Sequence, residues 1–173
     1  MEEPSWSPLT AFRLLSDNGR SVSFDDRGTG FGRGEGCGMI VLKPLDQALR
    51  DNDPIRAVIS GTGVNQDGKT PGITMPNGAA QGQFLIAISH HGPRPDVLTQ
   101  RAETLMKQVY RNSGLNPAEC GFVEAHGTGT RVGDPIEATA IHNVLGQGRT
   151  PRDPLWIGSV KSNIGHLEGA SGT

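Results

Sequence analysis

The sequence predicts an α/β fold, and its local patterns carry this prediction. Two short apolar runs, Phe122–Ala125 and Leu155–Val160, have the length of buried strands and lead into small polar residues. Two other stretches, Ala102–Asn112 and the segment that begins at Asp134, have the apolar spacing of amphipathic helices. Strands that alternate with helices are typical of α/β proteins.

Composition and charge narrow the classes of function. The 173 residues suffice for one domain with a sizeable core. With 34% hydrophobic residues and 25 glycines, however, the apolar content is low for a complete globular domain. A net charge of −2 argues against nucleic acid as a partner, because phosphate binding requires a basic face. No run of about 18 apolar residues could span a membrane, and Met1–Pro4 lacks the regions of a signal peptide. Two distant cysteines, Cys37 and Cys120, predict no disulfide framework, so we expect a reducing, cytoplasmic setting.

The first half of the chain is predicted to hold only short elements. Residues 1–20 are expected to be irregular. Strands are predicted at Cys37–Leu42 and Ile55–Ile59, with a short helix at Leu45–Arg50 between them. The loop that follows, Gly61–Asn77, is rich in Gly, Asn, Asp, Thr and Pro, and such loops lie at the surface and often line a site.

Glycine occupies every second position from Gly28 to Gly36. A nucleotide-binding fingerprint needs the spacing G-x-G-x-x-G at the opening of a helix, whereas here the spacing differs and an apolar run follows. The pattern therefore predicts backbone packed against backbone, or a bend where side chains do not fit.

The two predicted helices each have an apolar face and clear end signals. The first ends at Ser113–Gly114 and the second at Gly146. At the start of the second, Asp134 is expected to cap the helix, Pro135 to suit the first turn and Glu137 to return the cap. His142 lies off the apolar stripe and is expected at the surface. The predicted core positions are Leu105, Met106, Val109, Tyr110, Ile136, Ala140, Ile141, Val144 and Leu145.

A histidine follows each of the two later strands. His126 is succeeded by alternating glycine and threonine, and His166 closes the segment 157–166. Open α/β sheets collect their chemistry outside the carboxyl ends of their strands, so we expect the two imidazoles to converge on one cleft. The alternative is that both histidines are purely structural.

Several motifs resemble a known family. EAHGTGT (124–130), GDPIEA (133–138) and GSVKSNIGH (158–166) resemble, in this order, the ketosynthase (β-ketoacyl synthase) domain of a polyketide synthase. FDDRGTGFGRGEGCG (24–38) and GTGVNQDGKTPGITMPN (61–77) resemble the same family, especially its fungal iterative enzymes. The resemblance implies a thiolase-like fold of layers α-β-α-β-α that is incomplete here. Residues 1–50 would end its first half, and residues 51–173 would open its second.

The resemblance also implies a reaction and a set of site residues. Ketosynthases join acyl groups by decarboxylative Claisen condensation, with a cysteine nucleophile and two histidines that stabilise an enolate. His126 and His166 match these catalytic histidines. The substrates would be acyl and malonyl thioesters carried on the phosphopantetheine arm of an acyl carrier protein. No cofactor or metal is expected to bind directly, and the full domain would be a homodimer.

Thr128, Thr130 and Lys161 match further residues of the family, and Glu168 and Asn163 are expected to support the site. Thr128 and Thr130 match residues that bind the pantetheine arm. Lys161 is expected to hold the local hydrogen-bond network and to favour the anionic form of a nearby carboxylate, for which Glu168 is the candidate. Asn163 is expected to orient the turn before His166.

The segment Gly82–Arg101 interrupts the resemblance. It contains the pair His90-His91, but no further ligand stands at a recognised spacing, so no metal site is predicted. We hypothesise that it is a retained intron, because it begins with Gly, whose codon can hold a splice donor, and its removal restores the family spacing.

The nucleophile of the family, which sits in a segment like D-T-A-C-S-S, has no counterpart in this chain. Cys37 belongs to the glycine-rich segment and Cys120 precedes a strand, whereas a nucleophilic cysteine favours a turn at a helix N-terminus. We therefore expect a ketosynthase fragment that is inactive alone. The alternatives are a fragment of a fatty-acid-type condensing enzyme and a non-catalytic pseudogene product or dimerisation remnant.

Overall fold

The computed structural model of the chain describes residues 14–65 and 95–172. Two turns of 3-10 helix occur at Pro117–Glu119 and Glu168–Ala170. The longer elements, in chain order, are helix α1 (Leu45–Arg50), helix α2 (Pro95–Ser113), strand β1 (Phe122–Glu124), helix α3 (Gly133–Leu145), strand β2 (Trp156–Gly158) and helix α4 (Lys161–Ile164).

The two strands form a parallel pair. Phe122 lies opposite Trp156 and Glu124 lies opposite Gly158, so both strands end at the same edge. Parallel neighbours need a crossover connection, and helix α3 supplies it between β1 and β2. The segment after β1, which carries His126, therefore begins at the same edge of the sheet as the segment after β2, which leads to helix α4.

A small core holds this β-α-β unit together. Ala125, Ile141 and Leu145 are buried, and Met106 and Tyr110 of helix α2 pack against them. The predicted apolar stripes of the two longer helices are thus confirmed at these positions. Gly146 ends helix α3 as predicted, and His142 is exposed as predicted.

Two predicted strands and one helix boundary were wrong. Cys37–Leu42 and Ile55–Ile59 have no regular secondary structure. A strand needs a neighbour for its hydrogen bonds, and in residues 14–65 and 95–172 the named strands form only the β1–β2 pair. Apolar side chains in these segments stay open to solvent, with Met39 at 90% and Val41 at 95% exposure. Helix α2 starts at Pro95 rather than Ala102, because proline suits a first helical turn.

Some predictions fall outside the described residues. They concern residues 1–13, the loop beyond Asn65, and the pair His90-His91 with most of the interrupting segment. Within the described part of the chain, no helix is long and apolar enough to cross a membrane.

Candidate active site

The structure brings the two predicted histidines together. The ring centroids of His126 and His166 lie 5.6 Å apart, with the rings nearly perpendicular. Phe31 packs beside His166 at a centroid distance of 5.0 Å. Forty residues of sequence separate these imidazoles, so their adjacency depends on the fold and not on local chain geometry.

Two carboxylates of helix α3 hold the loop that carries His126. Glu137 accepts hydrogen bonds from the backbone N–H groups of His126 (2.7 Å) and Gly127 (2.9 Å). Asp134, which is buried, accepts from Gly129 and Thr130, each at 3.1 Å. The predicted capping box was therefore wrong: neither side chain caps the helix, because the loop that packs over its first turn offers N–H donors to both carboxylates.

The glycine-rich segment packs its backbone against both histidine loops. A Cβ atom on Gly28 would lie 2.5 Å from the carbonyl oxygen of Gly129, and one on Gly34 would lie 2.2 Å from that of Ile164. This confirms the prediction of backbone packed on backbone. The segment also pairs with the second loop, since the N–H of His166 donates to the Gly32 carbonyl at 2.7 Å and the N–H of Gly34 to the His166 carbonyl at 3.0 Å.

A backbone hydrogen bond selects one tautomer of His166. The N–H of Glu168 donates to Nδ1 of His166 at 2.9 Å. A nitrogen that accepts a hydrogen bond carries no proton, so in the neutral ring the proton resides on Nε2. Nε2 is therefore the atom of His166 that can donate a hydrogen bond to a substrate.

Both imidazoles are held in their neutral form. Partial burial lowers the pKa of His126 below its ordinary value of 6.5, and the charge of Lys161 lowers it further, against the opposing charges of Glu137 and Asp134. His126 still opens to solvent on one side. Partial burial also lowers the pKa of His166, followed by the effects of His126 and Lys161, while Glu168 opposes them. Neutral rings at pH 7 retain one N–H donor each.

The predicted partner of Lys161 was wrong. Glu168 pairs instead with Arg33, whose Nε lies 2.8 Å from Oε1 and whose Nη2 lies 3.1 Å from Oε2. Within residues 14–65 and 95–172, Lys161 forms no ion pair with a carboxylate, although it is 6% exposed. Residue 33 pairs with residue 166 as an isolated parallel bridge. This bridge places the guanidinium of Arg33 beside the turn that begins at Glu168, and the two side chains therefore form an ion pair.

The remaining predicted residues lie around the two histidines. Thr128 and Thr130 stand with their hydroxyl oxygens 3.3 Å apart, and Thr128 is buried. Asn163 lies in helix α4, and its backbone N–H donates to the Val160 carbonyl at 2.9 Å. Glu124 supports the same helix by accepting from the N–H of Val160 at 2.7 Å.

Two clefts flank the site. One, of about 520 Å³, is lined by Arg33–Gly38 and Leu167–Ala170. The other, of about 400 Å³, is lined by residues 19–21, Arg33 and residues 161–165. Neither cleft is lined by His126 or His166, so the predicted common pocket is not enclosed by these residues alone. In the described part of the chain, no group of three or more His, Cys, Asp or Glu side chains is arranged to hold a metal ion.

Sequence reasoning missed the residues that position the rings. The sequence predicts a helix cap at Asp134 and Glu137 and no role for Arg33 or Phe31. One signal pointed to the carboxylates: they follow the GTGT loop within a few residues, and glycine-rich turns have free N–H groups that acids can bind.

The chain matches the family models of β-ketoacyl synthase. Residues 85–173 match the C-terminal domain of β-ketoacyl synthase, and residues 2–48 match its N-terminal domain. The chain therefore belongs to the β-ketoacyl synthase family.

The relatives are fungal polyketide synthases. The chain is 58% identical over 161 residues to highly-reducing polyketide synthase 1 of Aureobasidium melanogenum, covering 92% of this chain and 6% of that protein. It is 47% identical to the highly reducing polyketide synthase otaA of Aspergillus carbonarius, covering 99% of this chain and 6% of that protein. These matches confirm the resemblance to polyketide synthase ketosynthases.

Solved ketosynthases confirm the fold class. The ketosynthase from module 6 of the bacillaene synthase of Bacillus subtilis matches 99% of this chain with a TM-score of 0.80 and 37% identity. An oxazolomycin ketosynthase domain of Streptomyces albus matches with a TM-score of 0.76 and 34% identity. The chain spans 27% of the bacillaene ketosynthase, so it holds part of a thiolase-like α/β fold.

Proposed function

We propose that this chain supplies the histidine part of a ketosynthase site that catalyses decarboxylative Claisen condensation of acyl and malonyl thioesters. The observation that carries the proposal is the distance of 5.6 Å between the ring centroids of His126 and His166. Two neutral imidazoles at this separation can both donate to one oxygen atom between them.

The chemistry follows from where charge develops. Loss of CO2 from the malonyl group breaks a C–C bond, and its electron pair forms an enolate with negative charge on the thioester oxygen. Nε2–H of His166 and one N–H of His126 donate to that oxygen, and a single preorganised donor is typically worth about 3–4 kcal/mol. The enolate carbon then attacks the acyl thioester of the enzyme and releases a cysteine thiolate.

The nucleophile in this proposal is a cysteine outside this chain. Cys37 lies in a segment without regular structure, several residues before helix α1. Cys120 follows the C-terminal end of the 3-10 turn Pro117–Glu119 and not a helix N-terminus, and its thiol donates to the carbonyl of Phe122. We therefore expect the isolated chain to be inactive.

The substrates reach the site on a carrier. In this proposal Thr128 and Thr130 bind amide groups of the phosphopantetheine arm of an acyl carrier protein, since their hydroxyls lie on the loop that presents His126. The charge of Lys161 adds to partial burial in lowering the pKa of both imidazoles, and Glu168 fixes the tautomer of His166 through its N–H. Asn163 shapes the turn, the full domain is a homodimer, and the reaction takes place in the cytoplasm.

Reconstitution tests the proposal. The chain is mixed with a segment from a related ketosynthase that carries the D-T-A-C-S-S-like cysteine motif, and CO2 release and ketoacyl product are measured. We expect product only from the mixture, and a loss of about 100-fold or more with His126→Ala or His166→Ala. His142→Ala is the matched control, because His142 is exposed on helix α3. Product from the isolated chain that depends on Cys37 or Cys120 would refute the proposal, and a mixture that folds without product would favour a non-catalytic remnant.

A further inference from the structure

The ion pair between Arg33 and Glu168 joins two segments that are far apart in the sequence. Nε of Arg33 lies 2.8 Å from Oε1 of Glu168, and Nη2 donates to Oε2 at 3.1 Å. Two nitrogens of one planar guanidinium thus face the two oxygens of one carboxylate, and such a contact fixes the direction of the carboxylate as well as its distance. The Arg33 side chain is 10% exposed and the Glu168 side chain 41% exposed, so the arginine is the more firmly held partner.

The backbone of Arg33 is at the same time bound to the backbone of His166. Residues 33 and 166 form an isolated parallel bridge. In this bridge His166 donates to the Gly32 carbonyl and accepts from the Gly34 N–H. A single residue then separates His166 from Glu168, whose carboxylate returns to Arg33. The bridge, the chain and the ion pair therefore close a ring, and this ring fixes Glu168 relative to the imidazole of His166.

The backbone of Glu168 needs such an anchor. Its φ is +52°, in the left-handed region that residues other than glycine adopt at a cost. The N–H of this strained residue is the group that donates to Nδ1 of His166 at 2.9 Å. Without the ion pair on its side chain, residue 168 can relax towards an ordinary backbone conformation, and this movement would weaken the hydrogen bond to Nδ1.

We propose that Arg33 is a positioning residue that keeps the proton of the neutral His166 ring on Nε2. It acts through Glu168: the ion pair holds the carboxylate, the carboxylate holds the strained backbone, and the backbone N–H occupies Nδ1. The consequence for catalysis rests on the proposed function, in which Nε2–H of His166 donates to the enolate oxygen. The effect on the tautomer itself does not depend on that function.

Nuclear magnetic resonance of the 173-residue chain with isotope-labelled histidine tests the proposal. At about pH 8 the imidazoles are neutral, and the nitrogen chemical shifts of Nδ1 and Nε2 report the proportions of the two tautomers. We expect Arg33→Gln and Glu168→Gln each to raise the share of the Nδ1–H tautomer of His166 about fivefold, which is the effect of one lost hydrogen bond. The double variant should raise it no further than either single variant, because both substitutions remove the same ion pair.

The ion pair between Arg149 and Asp153 supplies a matched control. It also joins a largely buried arginine side chain, 11% exposed, to an exposed carboxylate, and neither residue lines the two clefts beside the histidines. Asp153→Asn should therefore leave the tautomers of His166 unchanged. Arg33→Lys keeps the charge but not the planar fork, so it should shift the tautomers less than Arg33→Gln does.

Two results would overturn the proposal. One is a wild-type proportion of tautomers in folded Glu168→Gln, which is the decisive variant because it changes the more exposed partner and leaves the buried guanidinium in place. The other is an equal shift in Asp153→Asn, since the response would then be general. If the tautomers respond as expected while the reconstituted mixture makes no product, the proposed function fails and the role of Arg33 stands.

Discussion

Replacement of Asp134 by Asn tests how the loop of His126 is held. The buried carboxylate of Asp134 accepts hydrogen bonds from three backbone N–H groups, those of Phe24 (2.7 Å), Gly129 (3.1 Å) and Thr130 (3.1 Å). Asparagine keeps the shape of the side chain but loses the charge and one acceptor oxygen, and its NH2 group would face an N–H donor.

The magnitude follows from these contacts. A hydrogen bond to a charged group contributes about 1.5–3 kcal/mol, and a neutral one about 1 kcal/mol. With the charge lost from three bonds and at least one donor left unpaired, we expect Asp134→Asn to lower the free energy of unfolding by about 2–4 kcal/mol. Asp17→Asn should change it by less than about 0.5 kcal/mol, because Asp17 is exposed.

Two measurements check this expectation. Urea denaturation followed by circular dichroism gives the free energy of unfolding. Nuclear magnetic resonance titration gives the pKa of His126, which should fall in Asp134→Asn, because the charge of Asp134 raises it in the wild type. An Asp134→Asn chain with wild-type stability and an unchanged His126 pKa would refute the account of the loop.

Three further perturbations have defined outcomes. Gly129→Ala should destabilise the chain, because residue 129 has φ +78° and a Cβ would lie 2.7 Å from the Val22 nitrogen. Gly121→Ala is the control: a Cβ there meets open space, so its effect on stability should be close to zero. Equal melting temperatures of the two variants would contradict this expectation. Tyr110 is the only tyrosine, and burial together with a hydrogen bond to Cys120 raises its pKa to about 12, so absorbance titration should show no tyrosinate near pH 10 until the chain unfolds. The lowered pKa values of His126 and His166 mean that the unfolded chain binds more protons than the folded one near pH 6, so the free energy of unfolding should fall as pH drops below 6.5. This loss should shrink in His126→Asn, and an unchanged pH profile would count against neutral rings.

The sequence predicted the parts of the fold that local patterns encode. The apolar stripe of helix α3 and the runs that became β1 and β2 are written in residue spacing, and they appear where expected. Cys37–Leu42 and Ile55–Ile59 have the composition of strands, yet a strand also requires a neighbour, which spacing does not reveal. The pairing of His126 with His166 was predictable because both follow strands of one sheet.

The side-chain partners around the histidines were harder to predict. Asp134 and Glu137 have the spacing of a capping box, but both carboxylates accept hydrogen bonds from backbone N–H groups of the loop 126–130. Their closeness in sequence suggests Glu168 as the carboxylate near Lys161, whereas the bridge between Arg33 and His166 brings a different cation to it. Such choices depend on which segments meet in space, and one sequence does not contain that information.

The backbone layer formed by Gly28–Gly36 constrains the positions of both histidine loops. Because Gly28 and Gly34 approach the backbone of the two histidine loops too closely for a Cβ atom, a side chain at either position would force one of these loops to shift. Enzymes built on this arrangement would keep one reaction geometry and diversify their products through the residues that meet the acyl chain. Attempts to re-engineer such a site should accordingly leave this layer intact and alter the walls around it.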